Sequence, residues 1–222
     1  MKSRKTYIEK LVELGENQTQ DFKFEISDSK KIARTLSAFS NTDGGKLLIG
    51  VKDNGSIAGV RSEEEKHMLV AAAEMYCQPE VALEFTEWKI NGKQVLEVDI
   101  YRNREYLTSA PDKNGDYKIF IRMEDQNILA NGIYIKNWEQ KKSERKVEIQ
   151  FTDTERLFLQ TIKENQSLSF SKLRKLIKTS PKKLNQLLLD FLLIEVVELK
   201  ITEKGYFYQL NEQQLEDYEN AE

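Results

Sequence analysis

The sequence has few of the residues that would support a disulfide, a histidine-rich metal site or a membrane span. Its 222 residues include one cysteine, Cys77, and one histidine, His67. A single cysteine excludes an internal disulfide and is typical of a reducing compartment. No apolar run reaches the roughly 18 residues that a membrane helix needs, and the N-terminus lacks the apolar core of a signal peptide. We therefore expect a soluble cytoplasmic protein with no membrane partner.

The chain also lacks an overall excess of one charge. Its formal net charge of −3 gives no global basic signal for nucleic acid, but the local distribution does. The segment between Asn165 and Leu189 contains no acid and these six bases: Lys172, Arg174, Lys175, Lys178, Lys182 and Lys183. The end of the chain, residues 212–222, has the opposite sign and is predicted to be an acidic tail. A one-signed segment of this kind indicates a local partner.

Hydrophobic periodicity predicts a mixture of helices and strands in residues 1–138. Ile32, Leu36 and Phe39 fall on one face of a helix that ends near Asn41. The other predicted elements are a helix over 5–14, strands at Thr19–Phe24, Lys46–Val51 and Tyr117–Met123, a return strand Ile57–Val60 after the D-N-G turn, a helix from Ser62 to Tyr76, and a hairpin of Val81–Ile90 with Val95–Ile100. Since this order is not a strict strand–helix–strand repeat, we expect an α+β (mixed α/β) fold.

The composition changes after Trp138. Residues 139–150 are almost all polar and are predicted to be a linker. From 151 onward the pattern is a helix capped by Thr152 or Asp153, a helix in S-F-S-K-L-R-K-L-I-K, a helix starting at Ser180-Pro181, and two strands at Ile194–Ile201 and Gly205–Leu210. Three short helices and a hairpin predict a winged helix-turn-helix over 151–211. Aromatic residues of the last strand, Tyr206 to Tyr208, either complete its core or stack on a sugar, and we favour the core.

The turn Gly44-Gly45-Lys46 invites comparison with a phosphate-binding loop. A Walker A loop, G-x-x-x-x-G-K-[S/T], requires a glycine where this chain has Ser40 and a hydroxyl residue where it has Leu47. A helix also enters this turn and a strand leaves it, so no helix N-terminus faces a phosphate. We therefore interpret the glycines as the end of a helix and a turn into a buried strand.

Three segments resemble the Schlafen/AlbA-type DNA-binding domain. They are G-E-N-Q-T-Q-D-F-K at 15–23, L-S-A-F-S-N-T-D-G-G-K-L-L-I-G-V-K-D-N-G-S-I-A-G-V at 36–60, and I-F-I-R-M-E-D-Q-N-I-L-A-N at 119–131. The family-motif positions are Asn41, Thr42, Gly44, Gly45, Gly50, Gly59 and Arg122. Asp21 and Ser40 depart from the family pattern, which has glutamate and alanine there. The resemblance implies an AlbA/Schlafen-like N-terminal domain with a mixed sheet, followed in bacterial relatives by a helix-turn-helix, and a role in transcription regulation.

Some Schlafen relatives cleave RNA with three carboxylates, and the matching positions here are Glu16, Asp21 and Asp53. The resemblance thus implies an alternative function, a metal-dependent endoribonuclease using Mg²⁺ or Mn²⁺. The structural interpretation is that Glu16 lies in a turn, Asp21 is a strand-end charge and Asp53 belongs to the D-N-G turn, and we favour it. Arg122 either contacts nucleic acid or pairs inside the fold with Asp21 or Glu124, and we favour the internal pair.

The basic segment favours duplex DNA as the partner, with RNA as the alternative. In a helix-turn-helix the early residues of the last helix meet bases while flanking lysines neutralise phosphates. The predicted DNA-binding residues are Lys172, Arg174, Lys175, Lys178, Ser180, Lys182, Lys183, Asn185 and Gln186. A solvated face or a protein-interaction module are the other interpretations of the same charges. A homodimer would fit a reader of two half-sites. The primary hypothesis is a transcriptional regulator that is not an enzyme and needs no cofactor.

Overall fold

The computed structural model describes residues 6–143, 147–211 and 213, which fall into two compact units. The first unit ends at Ala130 and the second begins at Asn131. The predicted domain limits at 138 and 150 stay predictions. The predicted acidic tail, 212–222, lies outside the described residues except for Gln213. None of the helices that the structure describes is long and apolar enough to cross a membrane.

The first unit combines three helices with a four-stranded mixed sheet and a smaller antiparallel sheet. Its helices are α1 (Tyr7–Leu14), α2 (Ser29–Asn41) and α3 (Glu64–Met75). Its strands are β1 (Gln20–Lys23), β2 (Gly45–Ile49), β3 (Leu83–Ile90), β4 (Lys93–Ile100), β5 (Ser109–Pro111), β6 (Tyr117–Met123) and β7 (Gln126–Leu129). The main sheet has the order β1-β2-β4-β3, with β1 parallel to β2 and the other pairs antiparallel, and the smaller sheet has the order β5-β6-β7. The predicted mixed α/β class is therefore confirmed.

Alternation along the central strands separates two hydrophobic cores. Leu47 and Ile49 of β2 are fully buried in a core with residues of α2 and α3. Leu48, between them in the sequence, is fully buried in a second core with Ile8 of α1 and Phe22 of β1. Because neighbouring side chains of a strand point to opposite faces, the apolar run of β2 fills both cores. The same alternation places Lys23 and Lys46 in different surroundings.

In its described residues, the second unit has four helices and a three-stranded antiparallel sheet. Its helices are α4 (Gly132–Lys142), α5 (Asp153–Asn165), α6 (Phe170–Ile177) and α7 (Pro181–Leu193), and its strands are β8 (Ser167–Ser169), β9 (Val197–Thr202) and β10 (Gly205–Leu210). The sheet order is β8-β10-β9. Thr152 and Ser180 cap α5 and α7 with their side chains, as the sequence predicts. The buried faces of α5, α6 and α7 meet Val197 and Tyr208 in one core.

The structure differs from the sequence prediction at the return strand Ile57–Val60 and at helix α4, and it contains the short strands β5, β7 and β8, which were not predicted. The return strand Ile57–Val60 is wrong, because only an isolated bridge joins Ile57 to Val51. Helix α4 occupies residues that the sequence left without an element and continues to Lys142, inside the segment predicted to be a linker. The Asn131 side chain caps this helix, and Ile133 is buried in the core of the second unit. Because Ile133 is the one buried residue of α4, the helix lacks the repeated apolar spacing that would have predicted it from the sequence.

Candidate functional site

The carboxylate of Asp21 lies in a buried charge cluster of the first unit. Asp21 is 3% exposed, and the Nζ atom of Lys23 lies 2.6 Å from its Oδ2 atom. Lys23 Nζ also lies 4.0 Å from Oε1 of Glu16. Glu16 Oε1 in turn accepts a hydrogen bond of 2.9 Å from the backbone N–H of Phe22, which fixes the turn before β1. Glu16 and Asp21 are thus brought together, as the family pattern implies, with an ammonium group beside both.

Arg122 completes this cluster from β6. Its Nη2 atom lies 3.3 Å from Oδ1 of Asp21 and donates to the carbonyl oxygens of Asn17 and Gln20 at 3.2 Å. Its side chain is 1% exposed and lies over the Phe39 ring at 4.9 Å from the centroid. A guanidinium held in this way satisfies a carboxylate and two carbonyls at once. The structure confirms the internal pair with Asp21 and leaves Arg122 no exposed surface for nucleic acid.

A cleft of about 920 Å³ opens beside Asp21 and Lys23, and Asp53 lines it as well. Six acids and five bases line this cleft, so it has no basic excess that would attract a polyanion. In the described ranges 6–143, 147–211 and 213, no three His, Cys, Asp or Glu side chains are grouped so that they could hold a metal ion. Lys23 and Arg122 already neutralise Asp21, so these residues do not fit Mg²⁺ or Mn²⁺ as arranged.

The pKa of Glu16 is affected by the neighbouring groups of this charge cluster. Burial and the neighbouring carboxylate of Asp21 raise the pKa of Glu16 above its ordinary value, while the Phe22 N–H and Lys23 oppose this shift. Desolvation and a like charge both disfavour the ionised form of a carboxyl group. Glu16 is therefore easier to protonate than a solvated glutamate.

Asn41 and Thr42, at the end of α2, join distant parts of the first unit. Asn41 is 2% exposed, and its Nδ2 atom donates to the carbonyl oxygens of Thr108 and Phe120 at 2.8 Å. Its Oδ1 atom accepts from the Thr108 N–H at 2.7 Å. Thr42 Oγ1 accepts from the N–H of Arg122 at 2.9 Å. These two motif residues therefore hold β6 against α2 by satisfying buried backbone groups.

The motif glycines allow close backbone approach. Gly44 has φ of +74°, and a Cβ atom there would lie 2.7 Å from the carbonyl oxygen of Ile100. Gly50 has φ of +89°, and a Cβ atom would lie 2.7 Å from backbone atoms of Gly59 and Val60. Only glycine combines this φ with such contacts at low cost. Gly45 is confined by the Phe39 ring, 2.6 Å from the position of a Cβ atom. The contacts that the structure shows therefore give the motif glycines a role in folding.

Lys46, next to the glycine turn, is neutralised by two acids of β4. Its Nζ atom lies 2.7 Å from Oε1 of Glu97 and forms a second ion pair with Asp99. Glu97 also accepts hydrogen bonds from Tyr7 at 2.9 Å and from the Trp88 indole at 2.7 Å. Burial raises the pKa of Glu97, but the hydrogen bonds from Lys46, Tyr7 and Trp88 outweigh it and hold the pKa below its usual range. The charge of Lys46 is therefore neutralised by ion pairs within the first unit.

The basic residues of the second unit have different surroundings. On α6 and its C-cap, Leu173 and Ile177 face the core, while the bases lie on the solvent side. The exposed bases of α6 and the start of α7 are Lys172, Arg174, Lys175, Lys178, Lys182 and Lys183. Of these, only Lys183 has an ion-pair partner within the described part of the chain. Five positive charges therefore face solvent without a counter-charge from the described residues.

Three of the predicted DNA-binding residues have side-chain contacts within the second unit, and a fourth lines a groove there. Ser180 caps α7 by accepting from the N–H of Lys183. Lys183 Nζ lies 2.8 Å from Oε1 of Glu155 on α5. Gln186 donates to Oδ1 of Asp190 at 2.7 Å. The fourth, Asn185, lines a groove beside Tyr208 and β10. Among the predicted residues of α7, Lys182 is the exposed base without such a contact.

Sequence reasoning missed the acids that decide which bases are free. Glu155 is 6% exposed and lies 28 residues before its partner Lys183 in the sequence. Glu97 lies 51 residues after Lys46. Neither pair has a local spacing signal. For Glu97, a weak signal exists in the acid within the apolar run V-L-E-V-D-I, because a charge on a half-buried strand needs a partner.

Comparison with known proteins adds two findings to this geometry. Residues 16–131, more than half of the chain, match a family described as Schlafen, AlbA_2. The search of curated proteins finds no significant match. A solved structure, the DIP2311 protein from Corynebacterium diphtheriae, is 20% identical with a TM-score of 0.44, and the match covers 56% of this chain and 28% of that chain. A similarity of this size does not define the fold, and the chain spans less than a third of that protein.

Proposed function

The chain belongs to the Schlafen, AlbA_2 family, which is nucleic-acid-related, and from this premise we propose that it binds duplex DNA through its second unit as a transcriptional regulator. The observation that carries the proposal is the exposed basic face. We define this face as Lys172, Arg174, Lys175, Lys178 and Lys182. Since most of the free energy of nonspecific DNA binding comes from neutralised phosphates, unpaired surface bases are the property that such binding needs.

Helix geometry supports this assignment of the basic face. Residues 178–180 join α6 to α7 in a tight turn, with Lys178 in a left-handed conformation at φ of 52°. Two helices joined by so short a turn, followed by the β9–β10 hairpin, make up the elements of a winged helix-turn-helix. In that motif the second helix lies in the major groove and its N-terminal residues approach the bases. Lys182 is placed for a phosphate or a guanine contact in this arrangement.

The experiment is a fluorescence anisotropy titration of labelled duplex DNA with the full chain and a triple variant. The variant Lys175→Gln, Lys178→Gln, Lys182→Gln removes three charges from the basic face. We expect affinity at low salt to fall by about 100-fold, because each lost phosphate contact costs on the order of 1 kcal/mol. Gln keeps the polarity and most of the length of each side chain, so the loss reports charge.

The matched control removes three exposed charges elsewhere, with Lys10→Gln, Lys89→Gln and Lys163→Gln on three different elements. Its net charge equals that of the first variant, so an effect of overall charge would appear in both. Equal affinity of the two variants would show that the basic face is not the DNA site.

The metal-dependent endoribonuclease remains the competing hypothesis of the family resemblance, with Glu16, Asp21 and Asp53 as its residues. For these carboxylates to take a divalent cation, Lys23 would have to leave a contact of 2.6 Å with Asp21. Incubation of the wild type and of Glu16→Gln with tRNA and Mn²⁺ or Mg²⁺ tests this function. A metal-dependent product from the wild type but not from the variant would establish it.

RNA as a ligand of the basic face is tested by competition with the same labelled duplex.

A further inference from the structure

A second cavity, in the second unit, lies between α4, α7 and the end of β10. This groove has a volume of about 390 Å³, within the range of about 300–1,000 Å³ that is typical of small-molecule sites. Its apolar walls come from Ile133 of α4, Phe170 of α6, and Pro181 and Leu189 of α7. The groove is therefore large enough for a single aromatic ring or a branched chain of similar size.

Tyr208 lines this groove, and its buried hydroxyl has an unused capacity for a hydrogen bond. Tyr208 is fully buried, and its hydroxyl oxygen has no hydrogen-bond partner among the residues that the structure describes. The Asn131 side chain lies beside this oxygen without forming a hydrogen bond of normal geometry. Burial raises the pKa of Tyr208 to about 12, so the O–H remains a donor at neutral pH. A buried donor without an acceptor costs stability and is normally satisfied in a native protein.

Two further polar groups line the same groove. Lys136 is exposed on α4 and forms no ion pair with a described residue, and Asn185 presents an amide from α7. Lys136 offers only donors at neutral pH, the Tyr208 hydroxyl has an O–H that can donate, and the acids of the unit are absent from the lining that the structure describes. The polar complement of these groups is an anionic acceptor, while the complement of the walls is an apolar body.

We propose that this groove binds a small apolar carboxylate, with the carboxylate directed to Lys136, Tyr208 and Asn185 and the hydrocarbon part between Ile133 and Leu189. A carboxylate would accept a hydrogen bond from the Tyr208 O–H and pair with the Lys136 ammonium group. Such charge-assisted bonds in a partly dry site are stronger than bonds between neutral groups. Ligand binding here does not depend on whether the basic face binds DNA.

The test uses the full chain with labelled methyl groups and follows the signals of Ile133 and Leu189 by NMR. The probes are phenylacetate, indole-3-acetate and 4-methylpentanoate, and the control is 2-phenylethylamine, which has the opposite charge. At least one carboxylate is expected to shift both signals with a Kd below about 1 mM. The amine is expected to bind at least about tenfold more weakly, because it places a cation next to Lys136.

Two variants assign the contacts. Tyr208→Phe keeps the ring and removes the donor, and it is expected to weaken carboxylate binding about tenfold. Lys136→Gln changes an exposed residue, so it keeps the test valid if Tyr208→Phe fails to fold, and it is expected to weaken binding several-fold. Lys163→Gln is the control and is expected to bind as the wild type does. The proposal is overturned if no carboxylate shifts the two signals, if the amine binds equally well, or if Lys136→Gln and a folded Tyr208→Phe both keep wild-type affinity.

Discussion

Arg122 and Lys46 of the first unit differ from the basic face of the second unit in how their charges are paired. In the first unit, Arg122 is 1% exposed and pairs with Asp21, and Lys46 pairs with Glu97 and Asp99. In the second unit, the five bases of the basic face are exposed and form no ion pair with a described residue. In the first arrangement the charges are neutralised by ion pairs inside the fold, while in the second the charges remain available to an external anion.

This difference separates a family motif from a binding surface. Asn41, Thr42 and Arg122 are family-motif residues, yet their contacts in this chain are with backbone groups and side chains of the first unit, such as Asp21. The basic face lies outside the family match, which ends at residue 131. The geometry therefore leads us to seek the DNA site in the second unit. Measurements of stability and DNA affinity for variants of both units test this difference.

The largest expected effect comes from the buried guanidinium. Arg122→Leu leaves Asp21 with a single cation and removes one donor from each of the carbonyl oxygens of Asn17 and Gln20, so we expect the free energy of unfolding to fall by about 3–5 kcal/mol. Arg174→Leu, which changes an exposed base, is the matched control and is expected to stay within about 0.5 kcal/mol. Urea denaturation measures both. A similar loss of unfolding free energy in the two variants would contradict the distinction between charges paired inside the fold and charges available to an external anion.

The next effect concerns Glu97 and depends on pH. Glu97→Gln weakens the hydrogen bonds from Lys46, Tyr7 and Trp88, so we expect a loss of about 1–3 kcal/mol at neutral pH. Since the pKa of Glu97 is lowered in the folded state, its ionisation stabilises the protein above the unfolded pKa of about 4.3, and this part is lost as pH falls. Denaturation between neutral pH and about pH 3 should show the wild type losing more stability than the variant. A constant difference across this range would refute the role of Glu97 ionisation.

Adjacent lysines of α7 give a sharper comparison within the second unit. Lys183 is paired with Glu155, whereas Lys182 has no described partner. We expect Lys182→Gln to weaken DNA binding by about five- to tenfold and Lys183→Gln by less, while Lys183→Gln alone lowers stability, by up to about 1 kcal/mol. Anisotropy and urea denaturation on both variants measure these effects. The reverse order in DNA affinity would show that the ion pair opens on binding.

The smallest effect is expected at Glu16. Its pKa is raised in the folded state, so its ionisation opposes folding and stability falls as pH rises from the unfolded value through the folded one. Glu16→Gln removes this dependence while its amide oxygen keeps an acceptor for the Phe22 N–H. We expect a change within about 0.5 kcal/mol at neutral pH, and a flatter stability profile as the pH rises above about 4.3, the ordinary pKa of a glutamate. A loss of several kcal/mol would show that the carboxylate charge is needed by the fold.

Much of the fold could be predicted from the sequence because its signals are local. The run Lys46–Val51, the Asn91-Gly92 turn and the Ser180-Pro181 helix start each correspond to a strand, a hairpin or a helix in the structure. The return strand at Ile57–Val60 failed because its turn signal was real but only one isolated bridge, between Ile57 and Val51, follows the turn. The next residues bond to Gly50 and to Gln94 without forming a strand. A turn motif fixes where the chain reverses and not how long it stays paired.

The site was less predictable because its decisive contacts are long-range. The pairing of Lys183 depends on Glu155 on a different helix. The sequence could place Lys172 and Lys178 on the same helix but could not show which acids would reach them. The Tyr208 groove also depends on α4, which was not predicted and whose last four residues lie in the segment predicted to be a linker.

The central claim is that DNA contacts the exposed bases of the second unit, and the salt dependence of binding tests it most directly. The logarithm of the association constant is measured against the logarithm of salt concentration for the wild type and the triple variant Lys175→Gln, Lys178→Gln, Lys182→Gln. Each phosphate contact contributes about 0.9 to the slope, so we predict that the variant's slope is smaller by about 2.7. An unchanged slope would contradict the account and place the DNA contacts elsewhere in the protein.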